Sequence, residues 1–221
     1  VLLLYRSRSK ITIQAFGLQI IQTNMRKYLL INAFVFSCIF LPVRTKLIVA
    51  DGETPLTELR ARCDNLNVSQ VQTMENISIR RKKAWGFYGH STIQHEYETK
   101  LIGDDKVVID HATGLMWHAS GSNEYMKRKE VKKWIRGFNR NSYAGHYDWR
   151  VPTVEEAASL LEGSERSSGL FIDTAFDKKQ RWIWTGDSCS SGGMWRVYFD
   201  DGYVDWGDVS LLFVRPVRKI K

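Results

Sequence analysis

The stretch from Asp148 to Leu161, DWRVPTVEEAASLL, dictates more of its own conformation than any other part of the chain. Pro152 lacks an amide hydrogen and pushes the residue before it out of the helical region, so Val151 is extended and WRVP reads as a short strand. Thr153 followed three residues later by Glu156 is a capping box: the hydroxyl accepts from a free amide of the first turn, and the carboxylate reaches back to the cap's own amide. Val154, Ala157, Ala158 and Leu161 then recur at helical spacing. Glu155 and Glu156 stand where the helix dipole favours negative charge, and Gly163 stops the helix. Each residue type has a structural use, so the adjacent glutamates are read as the start of a helix rather than as an acid and base pair.

A strand feeding a helix needs a sheet to join and a layer to pack on, and the flanking sequence supplies both. After Gly103, KVVID reads as a strand, HATG as a turn closed by Gly114, and LMWHA as the returning strand. In YMKRKEVKKWIRGFNR, Val131, Trp134, Ile135 and Phe138 fall on one face of a helix. Its opposite face carries Lys129, Lys132, Lys133, Arg136 and Arg140. The last third reads as a β-meander: RWIWTGD, MWRVYF, a DDG turn, YVDW and a final LLFVRPVR. Two helices between an early hairpin and a late meander make an α+β domain over residues 103–221. Residues 51–102 show no sustained period. Within them PLTELRARCDNLN suits a short helix, RRKK precedes the aromatic WGFY, and the whole reads as a solvated, partly ordered lead-in.

The net charge of +8 suggests a polyanion partner until its location is checked. Residues 1–50 hold seven basic residues and no acidic one, which leaves 25 basic against 24 acidic over the remainder. A nearly neutral body does not suit nucleic acid. From Met25, MRKYLLINAFVFSCIFLPV places two cations before an apolar run, the layout of a secretory signal and shorter than the roughly 20 residues of a spanning helix. Residues 25–50 are therefore expected to be a signal peptide or N-terminal anchor, with residues 1–24 an extension upstream of the real start. Contact with membrane is then limited to an uncleaved leader. Phe36 makes the sequence before Cys38 a poor lipidation site. Beyond the leader only Cys63 and Cys189 remain, enough for one disulfide and too few for a zinc site.

The ordered set VIDHATGLMW, YAGHYDWRVPTVEEAASLL, IDTAFD, WIWTGD, WRVYFDDGYV and FVRPVR resembles the Lcl C-terminal-like family, from about Gly103 to Arg218. The resemblance implies a C-type-lectin-like fold with paired first and last strands, in exported bacterial proteins that for the most part have no assigned activity. The best-known member is an adhesin for sulfated glycans. Where members often carry a cysteine in the first helix and another in a final VRCVR, this chain has Trp134 or its neighbour and Pro216, so packing is expected in place of a bridge that contributes about 2–4 kcal/mol. The calcium-binding triplets of true lectins are absent. The related formylglycine-generating enzymes work through a cysteine pair, and this domain offers Cys189 alone.

The expected function is thus an exported, non-catalytic recognition domain that contacts a glycan or protein ligand outside the cell, with no cofactor and no metal. Trp195, Tyr203 and Trp206, which flank a glycine-serine loop and a hairpin, are the candidate platform, with Asp187 and Arg196 as polar companions. One alternative is a polyanion-binding adhesin that uses the basic helix face of Lys129, Lys132, Lys133, Arg136 and Arg140. Others are a structural surface component and, less in keeping with the residues, an oxidoreductase.

Overall fold

The hairpin expected after Gly103 forms, and its turn shows why. Strands β5 (Asp105–Asp110) and β6 (Leu115–His118) pair antiparallel with Val108 opposite Trp117. Asp110 is buried and organises the turn: its carboxylate accepts from the Ala112 amide at 3.2 Å and the Thr113 hydroxyl at 2.5 Å, and its carbonyl accepts from the Gly114 amide at 2.9 Å. Gly114 has φ +65°, a conformation that favours glycine. In this computed structural model the described residues are 55–208 and 211–220. The upstream extension and the leader expected over residues 1–50 lie outside them.

The chain is α+β. A four-stranded antiparallel sheet runs β10 (Val217–Lys219), β6, β5, β4 (Tyr97–Ile102). A six-stranded sheet runs β1 (Asn65–Leu66), β7 (Trp182–Cys189), β8 (Met194–Tyr198), β9 (Tyr203–Gly207), β3 (Gly86–Ser91), β2 (Ile77–Lys83). The helices are α1 (Val68–Gln72), α2 (Arg128–Arg140) and α3 (Val154–Ala158). The main core unites Val108 and Trp117 of the smaller sheet, Phe87, Ile183, Trp195, Val197 and Val204 of the larger, and Val154, Ala157 and Ala158 of α3. A second cluster gathers Val107, Ile109, Met116 and Trp149. A third lies by α2 and joins Met126, Val131, Trp184, Leu212 and Val214, with Trp134 packed against it.

The capping box at Thr153 is present in both directions, with Glu156 N to Thr153 Oγ1 at 3.1 Å and Thr153 N to Glu156 Oε2 at 2.9 Å. The helix stops at Ala158 rather than Leu161. Ser159 turns its hydroxyl back to the Glu156 carbonyl at 2.8 Å, and Leu160 and Leu161 bond to carbonyls three residues back, which tightens the last turn.

Three expectations are corrected. The final strand β10 pairs with β6, the second strand of the hairpin, and not with the first, β5, because Arg218 faces Met116 in that register. The lead-in is built into the fold: β2 and β3 complete one sheet, β4 edges the other, and Leu66, Val71, Ile77 and Phe87 enter the main core. Its apolar residues are too widely spaced to show a period, and burial comes from partners far along the chain. PLTELRARCDNLN is not helical. The helix there is α1, started one residue later by a capping box between Asn67 and Gln70.

Candidate functional site

Of the residues singled out as a ligand platform, only Tyr203 and Arg196 come together on one face of the larger sheet. Trp195 is wholly buried and its indole donates to the Leu66 carbonyl at 3.3 Å, so it is core. Asp187 is also wholly buried. Its carboxylate accepts from both terminal nitrogens of Arg60 at 2.8 and 2.7 Å and from the amides of Asp64 and Val154, each at 2.6 Å. Arg196 is held edge-on by Asp205 through two 2.8 Å bonds and donates to the Trp206 carbonyl at 3.1 Å. Tyr203 and Trp206 are half-buried but lie on opposite faces of β9, as their odd separation requires. The loop expected over Gly186–Gly193 is half strand, since β7 continues to Cys189 and only the turn follows.

Tyr203 nonetheless marks a real surface. The register places Trp182 opposite Tyr198, Tyr198 opposite Tyr203, and Tyr203 opposite Tyr88, so four aromatic side chains cross four strands in one row. Each is half-buried, and they occupy the face opposite Phe87, Val197 and Val204 of the core. Ring centroids are 4.9 Å apart for Tyr88 and Tyr203, and 6.1 Å for Tyr203 and Tyr198. Tyr125, 45% exposed, stacks on Trp182 at 5.9 Å and extends the row. Cations lie over it: Lys83 Nζ is 4.6 Å from the Tyr88 ring and 5.5 Å from that of Tyr203, and Arg196 is 5.7 Å from that of Tyr198. Burial and the neighbouring Asp205 charge push the Tyr198 hydroxyl up to about 12, which keeps it a neutral hydrogen-bonding group. The row depends on Gly86, whose φ of +118° and lack of Cβ let the Val204 carbonyl approach; a Cβ there would stand 1.9 Å from that oxygen. The sequence signals for Tyr88 and Lys83 were the RRKK and WGFY runs, which have no visible period.

The acidic residues of DWRVPTVEEAASLL are scaffold. Glu156 is wholly buried and receives Arg150 through bonds of 2.7 and 2.5 Å, while Glu155 accepts from Asn76 and from the Arg60 amide, both at 3.2 Å. Ser91, His95 and Asp110 stand in series at 3.1 and 2.8 Å. However, His95 Nε2 also faces the Ser159 carbonyl at 2.8 Å, which requires a hydrogen on that nitrogen and makes it a donor rather than a base. Among the described residues no group of three His, Cys, Asp or Glu is placed to hold a metal ion. Cys63 and Cys189 are both free. Cys189 pairs with Leu66 in the β1–β7 register while Cys63 abuts Gly186, so about 10 Å of strand separates them, beyond bridging reach.

The residues of the second expected surface lie together on α2. Lys129, Lys132, Lys133, Arg136 and Arg140 are all exposed on α2, and none forms an ion pair with another described residue. Val131 is the one buried residue of this helix. A cleft of about 670 Å³ runs along the Lys133 and Arg140 side, and another of about 370 Å³ along the Lys132 and Arg136 side.

The chain is thus an α+β domain whose buried charges are tied to its own backbone and to one another, and which carries an aromatic row and a basic helix on its surface. More particularly, the chain belongs to the Lcl C-terminal domain family, whose model matches residues 106–218. No curated protein and no solved structure matches it. The matched part supplies Tyr125, Trp182, Tyr198 and Tyr203 of the row, whereas Tyr88 and Lys83 precede it.

Proposed function

We propose that this protein is an exported, non-enzymatic recognition domain of C-type-lectin-like architecture that binds a glycan outside the cell through the aromatic row on its larger sheet. The observation that carries the reading is the row itself: Trp182, Tyr198, Tyr203 and Tyr88 share one face, half-exposed, opposite the face that gives Phe87, Val197 and Val204 to the main core. Trp182 also packs against the cluster beside α2, whereas Tyr88, Tyr198 and Tyr203 belong to none of the three clusters. Half-exposed rings of this kind present flat apolar area to solvent, and such area marks an interaction surface. Sugar rings, with their apolar C–H faces and hydroxyl rims, complement rings flanked by Lys83, Arg196 and tyrosine hydroxyls. The basic helix supports a second reading, a polyanion site, because a helix of thirteen residues carries six exposed cations, of which Arg128 alone has an ion-pair partner among the described residues.

The two readings separate by salt and by substitution. On a glycan array probed with the full chain, Tyr198→Ala/Tyr203→Ala is expected to lower the signal of the aromatic site about tenfold or more, with little change between 50 and 500 mM salt. Lys129→Glu/Lys133→Glu/Arg140→Glu is expected to remove heparin binding and leave that signal in place. An array signal untouched by the tyrosine pair sinks the leading reading.

A further inference from the structure

The cleft of about 370 Å³ between α2 and the outer face of β7 and β8 is not part of the aromatic row and has a different chemistry. Its apolar wall is made by Val131, Ile135, Val151, Trp184 and Met194, with Trp184 almost wholly buried. Its charged lining consists of Arg128, Lys132, Arg136 and Arg150, and no acidic residue lines it. Two of these cations are already neutralised: Arg150 by Glu156 and Arg128 by Asp208 at 3.0 Å. Lys132 and Arg136, one helical turn apart, have no anion among the described residues. An apolar pocket with a few convergent polar groups is the ordinary form of a small-molecule site.

We propose that this cleft binds a small amphipathic monoanion, its apolar body against Trp184 and Met194 and its carboxylate or sulfonate at Lys132 and Arg136. The size follows from the volume: at about 30 Å³ per water-sized group, the cleft takes on the order of a dozen non-hydrogen atoms. The site lies apart from the aromatic row and shares Lys132 and Arg136 with the basic face of α2; the heparin variant changes only Lys129, Lys133 and Arg140, so the two tests remain distinguishable. The sulfur of Met194 and the Trp184 ring also form a soft, polarizable wall suited to an alkyl chain or a fused aromatic ring.

Decanoate and naphthalene-2-sulfonate serve as probes of the two body types, with decanol as the neutral control, titrated calorimetrically into the full chain. The expected result is saturable binding of at least one anion with one site per chain, and about tenfold weaker binding of decanol. Lys132→Glu/Arg136→Glu, a surface change that leaves the core untouched, is expected to weaken the anion about tenfold or more. Met194→Trp fills the cleft and is expected to abolish binding. Val151→Phe fills it from the opposite wall and provides the same readout should the first variant misfold. Decanol binding as tightly as the anions, retention of affinity in the charge-reversed variant, or absence of binding by both anions would each overturn the proposal. Loss of glycan-array signal in the tyrosine variant with anion binding intact leaves it standing.

Discussion

Asp187→Ala is the substitution that most directly tests how the chain is held together. The carboxylate is wholly buried and accepts four N–H bonds: two from Arg60, one from the Asp64 amide and one from the Val154 amide at the start of α3. It thus joins the segment before β1 to β7 and to the first turn of α3. Removing it strands a partly buried guanidinium and at least one buried amide. Breaking a buried ion pair from one side costs about 3–5 kcal/mol, and an unsatisfied amide alone about 1–3 kcal/mol. Because Arg60 keeps 28% exposure and can recover some water, about 4 kcal/mol is expected. With a urea dependence of about 2 kcal/mol per molar, the midpoint falls by about 2 M at unchanged slope. Tryptophan fluorescence reports the transition, since Trp184 and Trp195 lie in the affected sheet. Arg60→Ala alone is expected to cost less, and adding it to Asp187→Ala is expected to cost little more, because the stranded charge goes with it. A midpoint shift below 0.5 M, or full additivity of the two changes, would refute the reasoning and detach residues 55–66 from the cooperative fold.

Three further outcomes are expected. Gly86→Ala drives a Cβ into the Val204 carbonyl at a φ of +118° and costs about 3 kcal/mol, a fall of roughly 10 °C in melting temperature by calorimetry. Burial, with Arg215 adding to it, lowers the His118 pKa from 6.5 to about 4, so the unfolded chain binds a proton there at pH values where the folded chain does not. Stability is accordingly lost as pH falls from about 6.5 to 4, by about 3 kcal/mol, in urea titrations at stepped pH, and a His118→Gln variant is expected to lose that slope. Tyr198→Ala/Tyr203→Ala, by contrast, trims half-exposed rings and is expected to shift stability by no more than about 2 kcal/mol while changing ligand binding.

What the sequence made legible follows from where its signals are local. The capping box at Thr153, the amphipathic α2 and the turn at Gly114 are each specified by neighbours within a few residues, and each forms. Tryptophan alternation in the meander gave the strands and also the wrong platform. A period of two separates the faces of a strand without saying which is the core, and Trp195 proved to be on the inner one. The row of Tyr88, Tyr203 and Tyr198 is assembled by register between β3, β9 and β8, whose order in the sheet is non-sequential, so no window of sequence contains it. The same holds for residues 55–102, whose few apolar side chains become core only when β7 and β9 lie beside them.

The two most distinctive motifs, DWRVPT and VRPVR, explain each other. Arg150 and Val217 exchange backbone bonds of 3.0 and 2.9 Å, and Arg218 grips Asp148 at 2.7 Å. Trp149 is sealed into the second cluster, and Arg150 continues inward to Glu156. Arg215, wholly buried, donates to the carbonyls of Ala119 and Asp177 and lies 5.0 Å from the Phe176 ring; burial lowers its pKa to about 9. The charged residues that look most like chemistry in the sequence are thereby bound to the chain's own backbone and to one another. On the proposed reading, recognition falls to groups outside these motifs: the rings that cross the larger sheet and the cations of α2. Charge changes at Asp148, Glu156, Arg215 and Arg218 should act on stability and leave ligand specificity alone, and changes on the two surfaces should do the reverse.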